Sequence, residues 1–384
     1  MTDPVSPRVI LLTKTDWRGE RDGGSKRVAA LLRALEEDGF EVAAFAVKEE
    51  TTSATRKLRT GAALQVAGAV LRNLSLSTAK WYSPSIASVL YDEIHRTDQS
   101  ITLVISHSQL APYAVLAKGP SSIDLHNIES ELLRNFASSR TRGWRRLIAS
   151  VEARRVAAME ARFTQDFDLV AVVSQHDRDV LDRLSETRGG RVVIATNGVD
   201  SSLFNFEGPR DHARVVFTAH LGWRPNVDAA IWLAREVWPR VLAARPDARL
   251  TLAGRSPSRE VLALVSDSIE IRPDVDDMTP IIGSARVATA PLLAAGGTRL
   301  KILEALAVGT PVVATPLGAL GLESISNGLS IQEHAESFAR ELVNGLDADA
   351  DRALLRGAVA KYRWEAATRD YIAGLRSLAV ERAG

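Results

Sequence analysis

Cysteine is absent from all 384 residues. Disulfides, thiolate nucleophiles, thiolate zinc sites and iron–sulfur clusters are therefore excluded. An excess of one charge is also missing. Lys and Arg number 48 against 47 Asp and Glu, a formal net charge of +1, so nothing global points to nucleic acid. The seven His are scattered, without the H-E-x-x-H spacing of a helical zinc site. No run approaches the roughly 20 apolar residues needed to span a bilayer. The opening stretch MTDPVSPRVILLTKTD has neither the basic start nor the cleavage pattern of a secretory signal. A cytoplasmic location is expected. Neither a repeat of 20–50 residues nor a low-complexity tract is present.

What is present is alternation. Residues 9–13 form a short apolar β-rich run, followed by a polar loop, an amphipathic helix from Ser25 stopping at Gly39, and a second apolar run at 41–47. Strand, loop, helix and strand make a βαβ unit and call for a parallel sheet. Further strands are expected at 101–106, 122–125, 169–173 and 192–194, with a long helix at 144–163. Linker composition near 201–212 precedes a second series: strands at 215–219, 249–253, 269–271, 285–290 and 311–315, and helices at 228–242, 299–308 and 348–383. The expected fold class is α/β, with two Rossmann-like, doubly wound parallel-sheet domains facing across a cleft. The expected division is 1–205 and 206–364, with the final helix, 365–384, packing back on the first domain. Ligands of such sheets sit at the carboxyl ends of the strands.

The segment richest in chemistry is 290–316, APLLAAGGTRLKILEALAVGTPVVATP. A small-residue loop runs straight into a helix. Glycine allows close approach to the backbone, and free N–H groups at the helix start favour an anion such as a diphosphate. Arg299 and Lys301 oppose the helix dipole unless an anion is bound there. Glu304, a turn further, suits a pair of sugar hydroxyls because a carboxylate accepts two hydrogen bonds. An ordinary packing helix with solvated Arg, Lys and Glu is the plain alternative.

Residues 296–311, GGTRLKILEALAVGTP, resemble the donor-site segment of family 4 retaining glycosyltransferases, in the branch that reads G-x-G-T-R-x-K-x-x-E-A. That family usually carries two glutamates with seven residues between them; here the second is Glu304 and Gly296 stands at the first. The resemblance implies a GT-B fold and transfer of a sugar from a nucleoside diphosphate sugar to an acceptor hydroxyl with retention. The pathway would be one of polysaccharide, glycolipid or glycoside assembly. It gives Glu304 the donor ribose, and leaves the transferred sugar to the amides of Gly297 and Thr298, with Gly296 and Leu300 beside them. The cationic work falls to Arg299 and Lys301. Residues 217–239 resemble the first strand and helix of the family's C-terminal domain, where Asn226 is a donor candidate and equally a helix-cap residue. Residues 247–255, DARLTLAGR, resemble the family's following strand, whose end lies near the nucleotide base, which makes Arg255 a donor candidate. Val275, in RPDVDD, is the candidate whose main chain reads the base edge, or else a core valine.

In the first half, DGGSKRV places Gly23 and Gly24 where the family has a glycine-rich loop against donor phosphate and acceptor. Lys26 and Arg27 face an anionic ligand there or are solvated helix residues. His126, just past a strand in SSIDLHNIES, matches a family His that touches the transferred sugar; Asp124 and Glu129 lie nearby, Glu129 as an acceptor contact. The Asn197–Gly198 pair marks a turn. No cofactor or metal is called for, since no D-x-D motif accompanies the diphosphate loop. The partners are the nucleotide-sugar donor and a sugar or lipid-linked acceptor. The helix near 56–72, with Arg56, Lys57, Arg59 and Arg72 at its ends, suits contact with a membrane surface. The alternatives are a sugar-nucleotide epimerase of the same fold and a sugar-nucleotide-binding protein without transfer.

Overall fold

The computed structural model describes residues 6–19, 23–47, 60–73, 75–96, 100–138, 144–185, 190–293 and 300–381. It divides into two compact units, one of residues 1–196 with 368–384, the other of residues 197–367. In the first unit the elements run β1 (Arg8–Thr13), α1 (Gly23–Glu37), β2 (Glu41–Ala46), α2 (Thr60–Asn73), α3 (Leu76–Ala79), α4 (Pro84–Ile94), β3 (Ile101–Ser106) and a 3₁₀ helix (Ser108–Leu116). Then follow β4 (Ser121–Asp124), α5 (Glu129–Ser138), α6 (Trp144–Glu160), α7 (Phe163–Asp166), β5 (Leu169–Val172), α8 (Gln175–Leu184) and β6 (Arg191–Ile194).

These six strands form a parallel sheet in the order β2-β1-β3-β4-β5-β6. Side chains alternate across it because the strand period is two. Ile10, Leu12, Leu103 and Ile105 enter one buried cluster, while Val9, Leu11 and Val104 enter the other. Both faces are covered, which is why β1 and β3 read as unbroken apolar runs. The last helix of the chain, Arg369–Glu381, belongs to this unit. Its Tyr371, Ile372 and Leu375 pack with Val9, Leu11 and Val28, and the Tyr371 hydroxyl lies 2.9 Å from Ser122 Oγ.

The second unit holds β7 (Asp211–Thr218), α9 (Arg224–Trp232), α10 (Trp238–Ala244), β8 (Arg249–Gly254), α11 (Arg259–Leu262), β9 (Ile269–Pro273), α12 (Thr279–Ser284) and β10 (Ala285–Ala290). It continues with α13 (Leu300–Ala307), β11 (Val312–Ala314), β12 (Leu329–Ile331), α14 (Ala335–Asp347), α15 (Arg352–Val359) and α16 (Trp364–Ala367), which leaves α17 for Arg369–Glu381. Its parallel sheet runs β12-β11-β10-β7-β8-β9, with Val215, Phe217, Leu250 and Leu252 buried on one face and Val216, Ala253, Ala288 and Ala290 on the other.

The α/β class and the doubly wound parallel sheets agree with the sequence expectation. Several elements differ. The stretch 348–383 is broken into α15, α16 and α17 rather than one helix. Helix α4, capped by Ser83 and opened by Pro84, the 3₁₀ helix at 108–116, and β12 with α14 were not anticipated. Asn197–Gly198, expected to mark a turn, lies in irregular backbone outside any turn. A Cβ on Gly198 would lie 2.7 Å from the Trp364 ring, and Val199 bridges Arg363, so the glycine serves close packing. Among the described residues, no helix is long and apolar enough to cross a membrane.

Candidate active site

In each sheet the strand order changes direction at one place, and ligands of open parallel sheets bind beyond the strand carboxyl ends at such a point. In the second unit that place lies between β7 and β10. The loop leaving β7 runs from Ala219 to Trp223 into α9; the loop leaving β10 leads to α13. Helix α13 is held by a buried stripe of Ile302, Leu303, Ala305 and Leu306. Leu300, Lys301 and Glu304 are half-buried on its other side. Lys301 Nζ stands over the ring of Phe217, 4.5 Å from its centroid, and Phe217 is a buried residue of β7. The lysine therefore reaches from α13 to the strand on the other side of the switch point. Gly296, Gly297, Thr298 and Arg299 lie outside the described residues.

The neighbouring loops are tied together. Leu221 N–H donates to Arg255 O at 2.9 Å, and Ala219 N–H to Ala253 O at 2.9 Å. Asn226 is buried in the first turn of α9, and its Nδ2 donates to His220 O at 3.0 Å. Its amide is thus committed to shaping the loop rather than presented to a ligand. Gly254 has φ +152°, and a Cβ there would sit 1.6 Å from Ala219 O. Gly254→Ala is expected to lower stability by at least about 2 kcal/mol, because both the backbone and the loop contact must yield. The midpoint and slope of urea unfolding check this. Arg255 is half-buried, and the Val275 side chain packs against the cluster of Ile281 and Ile282. The core-valine alternative therefore describes its side chain.

In the first unit the switch lies between β1 and β3. The strand register sets Thr13 beside Ser106 and Ser106 beside Asp124, so the strand ends are level. Just beyond them sits a polar cluster. The rings of His107 and His126 stack at 3.7 Å. His126 Nε2 lies 2.9 Å from Ser106 Oγ and 3.5 Å from Asp124 Oδ2. The carboxylate favours the proton on Nε2, which leaves Nδ1 as an acceptor. His107 Nδ1 contacts Ser106 O; a carbonyl only accepts, so this nitrogen carries the proton, and Nε2 faces the Thr15 hydroxyl at 3.5 Å. His107 is held at φ +95°, which is uncommon for a residue with a side chain. Lys14 Nζ donates to Gln109 Oε1 at 3.0 Å beside them.

Arg27 does not face a ligand. It is 3% exposed, and its Nε donates to Asp124 Oδ2 at 3.1 Å, its Nη1 to Thr196 O at 3.2 Å. From α1 it reaches Asp124 at the end of β4, where it neutralises a fully buried carboxylate. Burial pushes Asp124 up, but the Arg27 charge and the hydrogen bond with His126 outweigh it, so the carboxyl is held well below its ordinary range. Burial lowers both histidines despite the Asp124 charge beside His126; for His107 the neighbouring His126 and Lys14 add to it. Both imidazoles are neutral at pH 7. Gly23 is exposed, and Gly24 and Lys26 are half-buried at the start of α1.

Glu129 opens α5. Its Oε2 accepts from Asn127 Nδ2 at 3.1 Å, and its N–H donates to Glu160 Oε1 at 2.7 Å. Burial raises the Glu160 carboxyl to about 7. An unfolded Glu titrates near about 4.3, so folding takes up a proton between these values. Stability from this group falls as pH rises through that window and is level above it. Glu160→Gln keeps an acceptor for the α5 N–H groups. It is expected to exceed the parent by about 2 kcal/mol at pH 8 and to flatten the slope between pH 5 and 7. Urea unfolding across that range checks it.

His107, Ser106, Thr15 and the structural use of Asp124 were missing from the sequence-derived site. His107 follows a strand just as His126 does, and that shared position was the available signal.

Residues 21–203 match the family model Glycosyltransferase Family 4, and residues 212–348 match Glycosyl transferases group 1. The chain carries one domain of each kind. These glycosyltransferase domains have relatives of known sequence. One is an uncharacterized 44.6 kDa protein in the cps region of Klebsiella pneumoniae, 27% identical over 143 residues, covering 35% of this chain and 37% of that protein. Another is a phosphatidyl-myo-inositol mannosyltransferase of Mycolicibacterium smegmatis, 29% identical over 181 residues, covering 44% of this chain and 46% of that protein. The matches thus span less than half the length of either relative. Among solved structures, an α,α-trehalose 6-phosphate synthase from Burkholderia multivorans shares the fold with a TM-score of 0.65 at 13% identity, over 98% of both chains. The two domains are Rossmann-like and of the GT-B kind.

Proposed function

We propose that the protein transfers a glycosyl group from a nucleoside diphosphate sugar to an acceptor hydroxyl, with retention at the anomeric carbon. The observation that carries this is the placement of α13 at the β7/β10 switch point, with Lys301 reaching Phe217 and Glu304 one turn behind it. Amides of Gly297 and Thr298, with Gly296 allowing close approach, and the cations Arg299 and Lys301 hold the diphosphate. Leu300 packs beside it, and Glu304 accepts from the ribose hydroxyls. Gly24, Asn226 and Arg255 shape the donor-side loops, and the main chain at Val275 reads the base. The neutral His126, presenting Nδ1, accepts from a hydroxyl of the transferred sugar.

In the step itself, the bond from the anomeric carbon to the diphosphate oxygen breaks. The acceptor oxygen bonds to that carbon on the same face. The acceptor proton passes to the departing phosphate oxygen. No metal is needed in this scheme, because Arg299 and Lys301 supply the positive charge. Gly23, Lys26 and Glu129 serve the acceptor side. The name of the phosphatidyl-myo-inositol mannosyltransferase relative favours glycolipid assembly; polysaccharide assembly and work in the cytoplasm belong to the same proposal.

A panel of nucleoside diphosphate sugars, followed by nuclear magnetic resonance of the products, tests the proposal. Formation of the retained α-linkage from an α-linked donor supports it. Release of an epimeric nucleotide sugar would establish the epimerase instead. Binding with neither transfer nor hydrolysis would leave a binding protein.

A further inference from the structure

The amino-terminal edge of the second sheet gathers arginines that the proposed transfer does not use. Arg210 immediately precedes β7, and Arg286 is the second residue of β10; the two strands pair there, with Ala285 beside Asp211. Arg210 Nη1 donates to Ala350 O at 2.9 Å, and its Nη2 to Gly309 O. Arg352 and Arg356, one turn apart on α15, reach the chain before β7: Arg352 Nη2 donates to Gly208 O at 2.6 Å and Arg356 Nη2 to Phe206 O. A Cβ on Gly309 would lie 2.6 Å from Arg352 Cγ, so the stem of Arg352 rests on the residue that Arg210 holds. Arg286 Nη1 meets Asp349 Oδ1 at 2.6 Å, next to the carbonyl of Ala350. Four guanidinium groups thus share one corner. The cations that the sequence offers near 56–72 belong to the other unit, where Arg56, Lys57 and Arg59 lie outside the described residues.

The positive charge of this corner is poorly met. Carbonyl oxygens fix the guanidinium heads but bring no net charge. Arg286 is 4% exposed, and the Nε atoms of Arg210, Arg286 and Arg356 are buried without a partner. Two carboxylates face the group. Glu207 bridges Arg352 Nη1 at 3.2 Å and Arg356 Nη1 at 2.9 Å, and Asp349 meets Arg286; their side chains are 71% and 89% exposed. Two more on this edge are committed elsewhere. Asp211 Oδ2 accepts from Arg214 Nε at 3.1 Å, and Asp351 Oδ1 accepts from the N–H groups of Ala353 and Leu354 in the first turn of α15. Burial lowers the Arg210 guanidinium below its ordinary range, and the charges of Arg352 and Arg286 lower it further. A neutral donor would hold the same carbonyls without that repulsion.

We propose that this corner binds a phosphate dianion, free or as the ester of a small metabolite. Guanidinium forks match phosphate oxygens in pairs. The carbonyl bonds hold the heads ready, so little ordering remains for binding. Glu207 bridges Arg352 and Arg356 as a bound anion would, and Asp349 takes the outward Nη1 of Arg286. Both carboxylates stand mostly in water and are free to turn aside. A phosphate brings three oxygens and up to twice the charge of either. The donor loops leave the opposite, carboxyl ends of β7 and β10, so this is a second site, and it stands apart from the proposed sugar transfer.

Calorimetric titration of the full chain with inorganic phosphate, in chloride-free buffer, tests it. The parent chain is expected to bind. Asp349→Asn with Glu207→Gln should tighten binding about tenfold, because the tethered carboxylates no longer compete. Arg352→Gln with Arg356→Gln should weaken it by about tenfold or more. The first pair leaves every arginine and carbonyl bond in place, so it reads the site whether or not the second pair loosens the chain at 206–208. Amide hydrogen exchange with phosphate should show protection over 206–212 and 349–356, and Lys301→Gln, in the donor site, should keep it. Ribose 5-phosphate in parallel names the source: tighter binding than inorganic phosphate marks an ester, equal or weaker binding the free ion. The proposal is overturned if the parent chain binds no phosphate, or if the carboxylate pair binds it no more tightly. It is equally overturned if protection is confined to 291–308 and lost in Lys301→Gln; the arginines would then only fasten α15 to the chain before β7.

Discussion

Glu304→Ala is expected to lower kcat/KM for the donor by about 100- to 1,000-fold, equivalent to about 3–4 kcal/mol. A carboxylate that accepts two hydroxyl hydrogen bonds contributes through both, and its loss leaves two donors unmatched in a partly dry site. The fold should be untouched. Helix α13 is anchored by Ile302, Leu303, Ala305 and Leu306, whereas Glu304 is only half-buried. Steady-state kinetics with a thermal melt alongside separates the two effects. Glu304→Gln, which keeps one acceptor, should fall between parent and alanine. An unchanged kcat/KM for Glu304→Ala would remove this residue from the site.

The largest expected effect on stability comes from Arg27. Arg27→Met should destabilise the protein by about 3–5 kcal/mol, because it strands the fully buried Asp124 carboxylate. For a unit of this size that corresponds to a melting temperature lower by roughly 10 °C. The Asp124 carboxyl would rise toward and beyond its ordinary range, since burial would then act without the guanidinium. Asp124→Leu in the same chain should restore much of the loss, because it removes the uncompensated charge. It should not restore transfer, because His126 would lose the group that fixes its proton on Nε2. Urea unfolding of the two single variants and the pair, read as a double-mutant cycle, measures the coupling.

The fold was legible where physics acts locally. Residues 9–13, 101–106 and 169–173 are buried on both faces, so their apolar runs declare strands without help from context. Glycine stops and helical periodicity supplied α1, and the alternation supplied the parallel sheets. What escaped was decided by packing. Helix α4 and the 3₁₀ helix contain proline and few charges, and β12 is three half-buried residues paired along one edge.

The candidate site divides the same way. His126, at a strand end, was visible from its position. The partner that fixes its proton, Asp124, stands two residues before it in the sequence, but that carboxylate's charge state depends on Arg27, 97 positions from Asp124. In the sequence Arg27 looks like a cation beside a glycine loop; only the sheet register shows that it lies under Asp124. Asn226 likewise reads as a donor contact until the bond from its amide to His220 O is seen. Lys301 was read as a first-turn cation, and its reach to Phe217 requires knowing that β7 and β10 are neighbours.

Amide hydrogen exchange of the full chain, with and without a saturating nucleoside diphosphate, asks most directly whether the second unit's switch point is the donor site. Protection is expected over residues 291–308 and the 219–223 loop, and should be lost in Glu304→Ala. Protection confined to the first unit, or absent from 291–308 while the nucleotide is demonstrably bound, would contradict the assignment.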